Sequence, residues 1–208
     1  MKFIEKPYRK NKLYTGKALD FFVDTVLLPD GNKAKREFTH HPNAVAVVPF
    51  VDENNIVLVR QYRYPVRKIT YEIPAGKLDR KEGLTDCVRR ELAEETGFAA
   101  GSVKRFISYW PTPAFSTEVV HIYIARDLTP VETKPDKDEF IDRIIIPFDT
   151  AVEWVRSGKI MDSKTIISLL YIKLTGVISP FSQCLPQLSF QKGRCCPCSP
   201  TRLRQQRG

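Results

Sequence analysis

The stretch that most constrains this chain runs from Gly76 to Phe98, GKLDRKEGLTDCVRRELAEETGF. It reads as a loop opening at Gly76, then a helix that begins near Glu82 or Gly83 and ends at Gly97, where glycine suits the left-handed position past a helix end. Residues three or four apart share a helix face, so Leu84 and Val88 form an apolar stripe whose next members are Glu91 and Glu95, with Glu94 beside them. An apolar stripe has turned acidic. Like charges at this spacing destabilise an isolated helix by roughly 0.2–0.5 kcal/mol per pair, and burial raises the cost. A divalent cation relieves it, and oxygen-only ligands favour a hard ion, Mg2+ or Mn2+. A solvated surface helix carries the same mixture of charges. The helix taken alone leaves both readings open.

The whole string separates them. Gly76, five residues, Glu82, seven residues, then Arg90, Glu91, an aliphatic residue, any residue, Glu94, Glu95, any residue, Gly97 and an apolar residue all fall in place. This pattern resembles the Nudix box of the Nudix hydrolases at every fixed position, and so many constrained positions rarely coincide by chance. The resemblance implies an α/β fold, a Nudix-type α/β/α sandwich around a mixed sheet. It also implies metal held by Glu91, Glu94, Glu95 and the backbone carbonyl of Ala75, which precedes the box glycine. Arg90 and Glu94, four apart, can pair and orient the carboxylates. Glu82 steadies the helix start or supports the site from outside.

The flanks resemble the ADP-ribose pyrophosphatase branch of that family. In VRQYRYP, Arg63 matches an arginine that holds the diphosphate, since a guanidinium can clamp a phosphate with two parallel hydrogen bonds; simple solvation is the other reading, and it is kept for Arg60 and Arg67. Glu72, in EIPAG, matches a position near the nucleoside or stands as a surface carboxylate. Pro113 lies 16 residues beyond the last box glycine, where that branch carries a proline, and PAFSTE is similar to its PGFSTE with Ala114 in place of glycine. Glu139 matches a loop glutamate that orients or activates the attacking water, with Glu132 and Asp138 as rivals in the same polar loop. The implied reaction is Mg2+-dependent hydrolysis of ADP-ribose, or a related nucleoside diphosphate sugar such as ADP-glucose, to AMP and a sugar phosphate. A ligand-sensing or nucleic-acid-binding module on the same fold is the alternative from another class. The intact carboxylate set weighs against it, because pure binding does not need that set.

Composition bounds the rest. With 42% hydrophobic residues in 208, the chain can bury one sizeable core. No apolar run reaches the ~18–20 residues of a membrane span, and the N-terminus lacks the apolar core of a secretory signal; a cytoplasmic location is expected. The net charge of +9 invites a nucleic-acid partner, but Lys192, Arg194, Arg202, Arg204 and Arg207 supply five of those charges after Pro180, and the rest of the chain carries +4. Such a mildly basic body suits anionic phosphates generally. Four of the five cysteines, Cys184, Cys195, Cys196 and Cys198, lie in the same region, where CCPC without a second ligand pair is weak ground for zinc. We read 178–208 as a basic, cysteine-containing tail, an aperiodic extension expected to be disordered. Cys87 stands apart on the helix, as a small apolar residue.

In chain order, residues 1–40 read as N-terminal strands, with Ala18–Leu28 and Lys35–His40 as a hairpin around PDGN. The branch resemblance implies a small sheet there, exchanged in a homodimer. Residues 41–177 read as the Nudix domain. Ala44–Val51 is apolar throughout and should be a central strand buried on both faces; Ile56–Tyr62, Val103–Tyr109, Val119–Ala125 and Ile144–Pro147 follow as strands, with His121 structural. Asp149 is expected to cap a helix to about Ser157, and Asp162 or Ser163 the next, where Ile166, Ile167, Leu169, Leu170 and Ile172 make a wide apolar face.

Overall fold

The computed structural model describes residues 3–79, 81–132 and 140–176. Its centre is β5 (Ala44–Pro49), buried at all six positions. Successive side chains on a strand point to opposite faces. Val45 and Val47 therefore pack on one side, with Val88 and Leu92 of helix α1 (Leu84–Thr96), while Ala44, Ala46 and Val48 pack on the other, with Phe148, Leu169 and Ile172 of the last two helices. An unbroken apolar run is what a strand covered on both faces requires.

Four N-terminal strands form a sheet of their own. β1 (Lys6–Arg9) and β2 (Lys12–Thr15) follow each other along one edge of β3 (Asp20–Leu27), and β4 (Lys33–His40) takes the other edge. At the break between β1 and β2, Asn11 accepts from the Val23 N–H and gives its own N–H to the buried Asp24 carboxylate at 2.9 Å. The β3–β4 hairpin is the one read from PDGN; β1 and β2 are short and exposed throughout, and carry no alternation that would announce them.

β6 (Asn55–Arg63), β7 (Lys68–Glu72), β8 (Ala75–Lys77), β9 (Phe98–Tyr109), β10 (Val120–Pro130) and β11 (Ile141–Pro147) complete two further sheets. One is mixed, in the order β8-β5-β10-β9, with β5 and β10 parallel and the other pairs antiparallel. The other is antiparallel, β11-β6-β7. Helix α1 covers one face of the mixed sheet; α2 (Phe148–Arg156) and α3 (Ser163–Thr175) lie on the other side with the β6 sheet. This is the expected α/β/α sandwich around a mixed sheet, with a small N-terminal β-sheet.

Three local readings are corrected. Asp149 does not cap α2: the capping position is Pro147, and the Asp149 carboxylate instead accepts from Lys173 on α3 at 2.7 Å. The apolar face of α3 is narrower than its sequence implies, because Leu170 is exposed while Thr165 and Ser168 take buried places beside Leu169 and Ile172. Strands β9 and β10 run several residues past their apolar cores as a long antiparallel ribbon. Asp162 does cap α3, accepting from the Thr165 N–H at 2.9 Å. No helix among the described residues is long and apolar enough to cross a membrane. The 178–208 tail lies outside the described residues.

Candidate active site

Helix α1 begins after Gly83 and ends at Gly97, whose φ of 69° is the left-handed conformation that glycine adopts without strain. The acidic stripe does not face solvent. The side chain of Glu91 is only 13% exposed and Glu95 is 8% exposed, so the solvated-helix reading falls. Cys87, Val88 and Leu92 bury the same side of the helix against the mixed sheet. At roughly 1.5–3 kcal/mol for each fully buried aliphatic side chain, that packing holds the carboxylates where they are.

Their counterpart is the free edge of β8. In an antiparallel pair, backbone groups point alternately toward and away from the partner strand. Leu78 donates to the Asn43 carbonyl and Val47 to the Pro74 carbonyl, so the Ala46–Ala75 and Ala44–Lys77 pairs between them have their polar groups turned outward. Ala75 accordingly gives its N–H to Glu95 at 3.1 Å, and its carbonyl leaves the strand on the same side. The Lys77 carbonyl, two residues on, accepts from Arg90 at 3.3 Å and from the Cys87 thiol at 3.4 Å. Between them lies Gly76. A Cβ there would stand 1.8 Å from a carboxylate oxygen of Glu91. The glycine is therefore required by close approach: Glu91 occupies the space where any other residue would put its side chain.

Arg90 binds the acidic groups together. Its Nε and Nη2 donate to the two oxygens of Glu82 at 2.9 and 3.0 Å, and its Nη1 donates to Glu91 at 2.8 Å and Glu94 at 3.0 Å. Arg90 thus bridges the loop before α1 to two carboxylates on it. Hydrogen bonding to Glu82 is the largest influence that raises the Arg90 pKa, and the same bond holds Glu82 at about 2. Burial pushes the Cys87 thiol up to about 12, so it packs as an uncharged group. Among the described residues no three carboxylate, imidazole or thiol groups stand ready as a closed ion cage. The acidic side chains are drawn onto Arg90 and the β8 edge.

Arg63 and Glu72 meet at the neighbouring strand ends. Arg63, last in β6, gives Nε and Nη2 to the two oxygens of Glu72, last in β7, both at 2.8 Å. Glu72 is buried, which removes the surface-carboxylate reading. Burial alone would raise its pKa, but hydrogen bonds and charge from Arg63, Lys164 and Thr70 outweigh it and hold the carboxyl at about 2. The Arg63 pKa is raised, chiefly by its bond to Glu72, with Glu95 and Asp162 adding their charge. Arg60, by contrast, is exposed and paired with Asp142.

Pro113 sits in an exposed turn closed by the Phe115 and Ser116 N–H groups on the Thr112 carbonyl. That loop is tied to β4 through Thr39, which bonds Phe115 and Thr117. It leads into Val120, which lies beside Ala44 and thus in line with Lys77, at the same end of the sheet as the box loop. Glu139 and Asp138 lie outside the described residues; Glu132 is exposed just beyond β10. A surface cavity lined by Glu53, Phe148, Asp149 and Lys173 sits at the α2–α3 layer and shares none of these groups.

Sequence reading missed Lys164, Thr165 and Thr70. Lys164 donates to Glu72 and, at 2.9 Å, to Asp162. The Thr165 hydroxyl donates to Asp162 at 2.6 Å and accepts from the Ile73 N–H at 2.9 Å. Both reach across 92 residues, a separation at which no local spacing gives a signal.

The NUDIX domain model matches residues 40–165. The chain is 40% identical over 174 residues to the methanol dehydrogenase activator of Bacillus methanolicus, covering 83% of this chain and 94% of that one. It is 37% identical over 172 residues to the ADP-ribose pyrophosphatase of Bacillus subtilis (strain 168), covering 82% and 93%. A crystal structure of an ADP compounds hydrolase superposes with a TM-score of 0.73 over 85% of this chain and 98% of that one, at 21% identity, and shares the fold. The glycine that yields its side-chain space to Glu91, the arginine that gathers Glu82, Glu91 and Glu94, and the matched domain agree: the chain belongs to the Nudix hydrolase family.

Proposed function

We propose that the chain hydrolyses the diphosphate bond of ADP-ribose, or of a related nucleoside diphosphate sugar, to AMP and a sugar phosphate. The observation that carries this is the β8 edge, where the outward Ala75 carbonyl and the Glu95 carboxylate lie side by side and Glu91 fills the gap left by Gly76. The relatives' names direct the substrate toward ADP-ribose.

Oxygen ligands of this kind fit a hard divalent ion. Glu91, Glu94, Glu95 and the Ala75 carbonyl would hold Mg2+, with Mn2+ as a substitute. A bound ion supplies neutralisation of phosphate charge and a lowered pKa for water. The residues do the remainder. Arg90 holds Glu91 and Glu94 in place. Arg63, held on Glu72 before substrate binds, presents its guanidinium to a phosphate. The Pro113 turn borders the substrate. Glu139 orients or deprotonates the water that adds to phosphorus as the bridging P–O bond breaks. A homodimer exchanging the N-terminal sheet, acting in the cytoplasm, completes the proposal.

The test is Mg2+-dependent hydrolysis across ADP-ribose, ADP-glucose, NADH and diadenosine polyphosphates, with Glu95→Gln as control. Release of AMP from ADP-ribose above the others is expected. Preference for ADP-glucose would move the reading to that sugar, and no release from any nucleoside diphosphate sugar would refute it.

A further inference from the structure

The cation pair around Glu72 is asymmetric. The Glu72 side chain is 3% exposed, Lys164 14% and Arg63 44%. Each carboxylate oxygen has two donors. One takes Arg63 Nε and the Thr70 hydroxyl at 2.7 Å; the other takes Arg63 Nη2 and Lys164. Removing Arg63 would leave each oxygen with one donor, and the buried charge with one cation. Lys164 cannot follow, because Asp162, fixed as the cap of α3 by the Thr165 N–H and hydroxyl, holds it from the other side. Arg63 is the exposed and duplicated partner.

We propose that Lys164 is a positioning residue for substrate binding: it keeps Glu72 compensated, so that the Arg63 guanidinium can turn from Glu72 onto a phosphate of the substrate. Without Lys164, that turn would strand a buried carboxylate with no cation, the costly half of breaking a buried pair. Arg63 would stay locked on Glu72. The inference rests on the reading of Arg63 as a phosphate clamp.

The experiment is calorimetric titration of the full chain with an ADP-ribose analogue whose bridging oxygen is replaced by methylene, in EDTA and again in Mg2+. The variants are Arg63→Ala, Lys164→Met, Lys164→Arg and the double Arg63→Ala/Lys164→Met, each checked for a cooperative thermal transition. Lys164→Met is expected to weaken binding about tenfold or more. Lys164→Arg, which keeps the cation, should restore it to within about threefold. The double variant should bind no more weakly than Arg63→Ala, because the two residues act through one contact. In steady-state assays Lys164→Met should raise KM more than it lowers kcat. Should Lys164→Met not fold, Lys164→Gln keeps a donor without charge and carries the same expectation. Weakened binding in Arg63→Ala with wild-type affinity in the Lys164 variants would overturn the inference and leave the clamp standing. Wild-type affinity in Arg63→Ala would overturn the clamp itself.

Discussion

Gly76, Arg90 and Glu72 show how single residues set the local geometry. Gly76→Ala puts a methyl group into the Glu91 carboxylate. The expected result is a folded protein with weakened Mn2+ binding, read from the loss of the free-ion paramagnetic resonance signal on titration. Arg90→Ala should cost about 2 kcal/mol, between the values for exposed and buried ion pairs, because Glu82, Glu91 and Glu94 all lose a donor; urea unfolding at neutral pH measures it. Glu72 and Glu82 are each held near 2, against 4.5 for an ordinary glutamate. Their folded pKa values are depressed, so their stabilisation is complete above 4.5 and is lost as pH falls through 2. The urea midpoint should decline across that window, and Arg90→Ala should lower the neutral plateau and flatten the decline. An unchanged slope would detach Glu82 from Arg90.

At the scale of elements, α1, β8 and α3 meet around three residues, Ile73 to Ala75. α1 reaches Ala75 through Glu95, and α3 reaches Ile73 through Thr165. Thr165→Val keeps the shape but leaves the buried Ile73 N–H without its acceptor, a loss of about 1–3 kcal/mol. Thr165→Ser should recover most of it, and thermal unfolding of the two variants decides. The sequence was legible where a pattern is local. Helix α1, its glycine end and its acidic stripe follow from spacings of three to seven residues, and β5 from an unbroken apolar run. The Asp162 cap was legible for the same reason, since its partner is three residues away. What could not be read was non-local. The pairing of Lys164 with Glu72 depends on α3 docking against the end of β7, and no residue near Lys164 announces it. Strand β8 escaped because three residues beside a proline carry no alternation. Asp149 misled because an acidic residue in a first helical turn resembles a cap, while its partner, Lys173, comes from α3.

For the whole molecule, the sandwich brings one end of the mixed sheet, the start of α3 and the second half of α1 to a common place. Ala44 lies between Lys77 and Val120 there, so the box loop and the Pro113 loop leave the sheet together. The N-terminal sheet exposes Tyr8, Leu13 and Tyr14. If it is exchanged as proposed, light scattering on the full chain should give a mass near twice 23.9 kDa; a monomeric mass would remove the exchange without touching the carboxylate site. That site is the heart of the account, and AMP release from ADP-ribose by the wild type and by folded Glu95→Gln, each with Mg2+ and with EDTA, tests it most directly. Hydrolysis should require Mg2+ and should fall at least about 100-fold in the variant, beyond the 10–100-fold typical of losing a ligand's supporting partner. Turnover that persists in EDTA, or that is equal in Glu95→Gln and wild type, would contradict it.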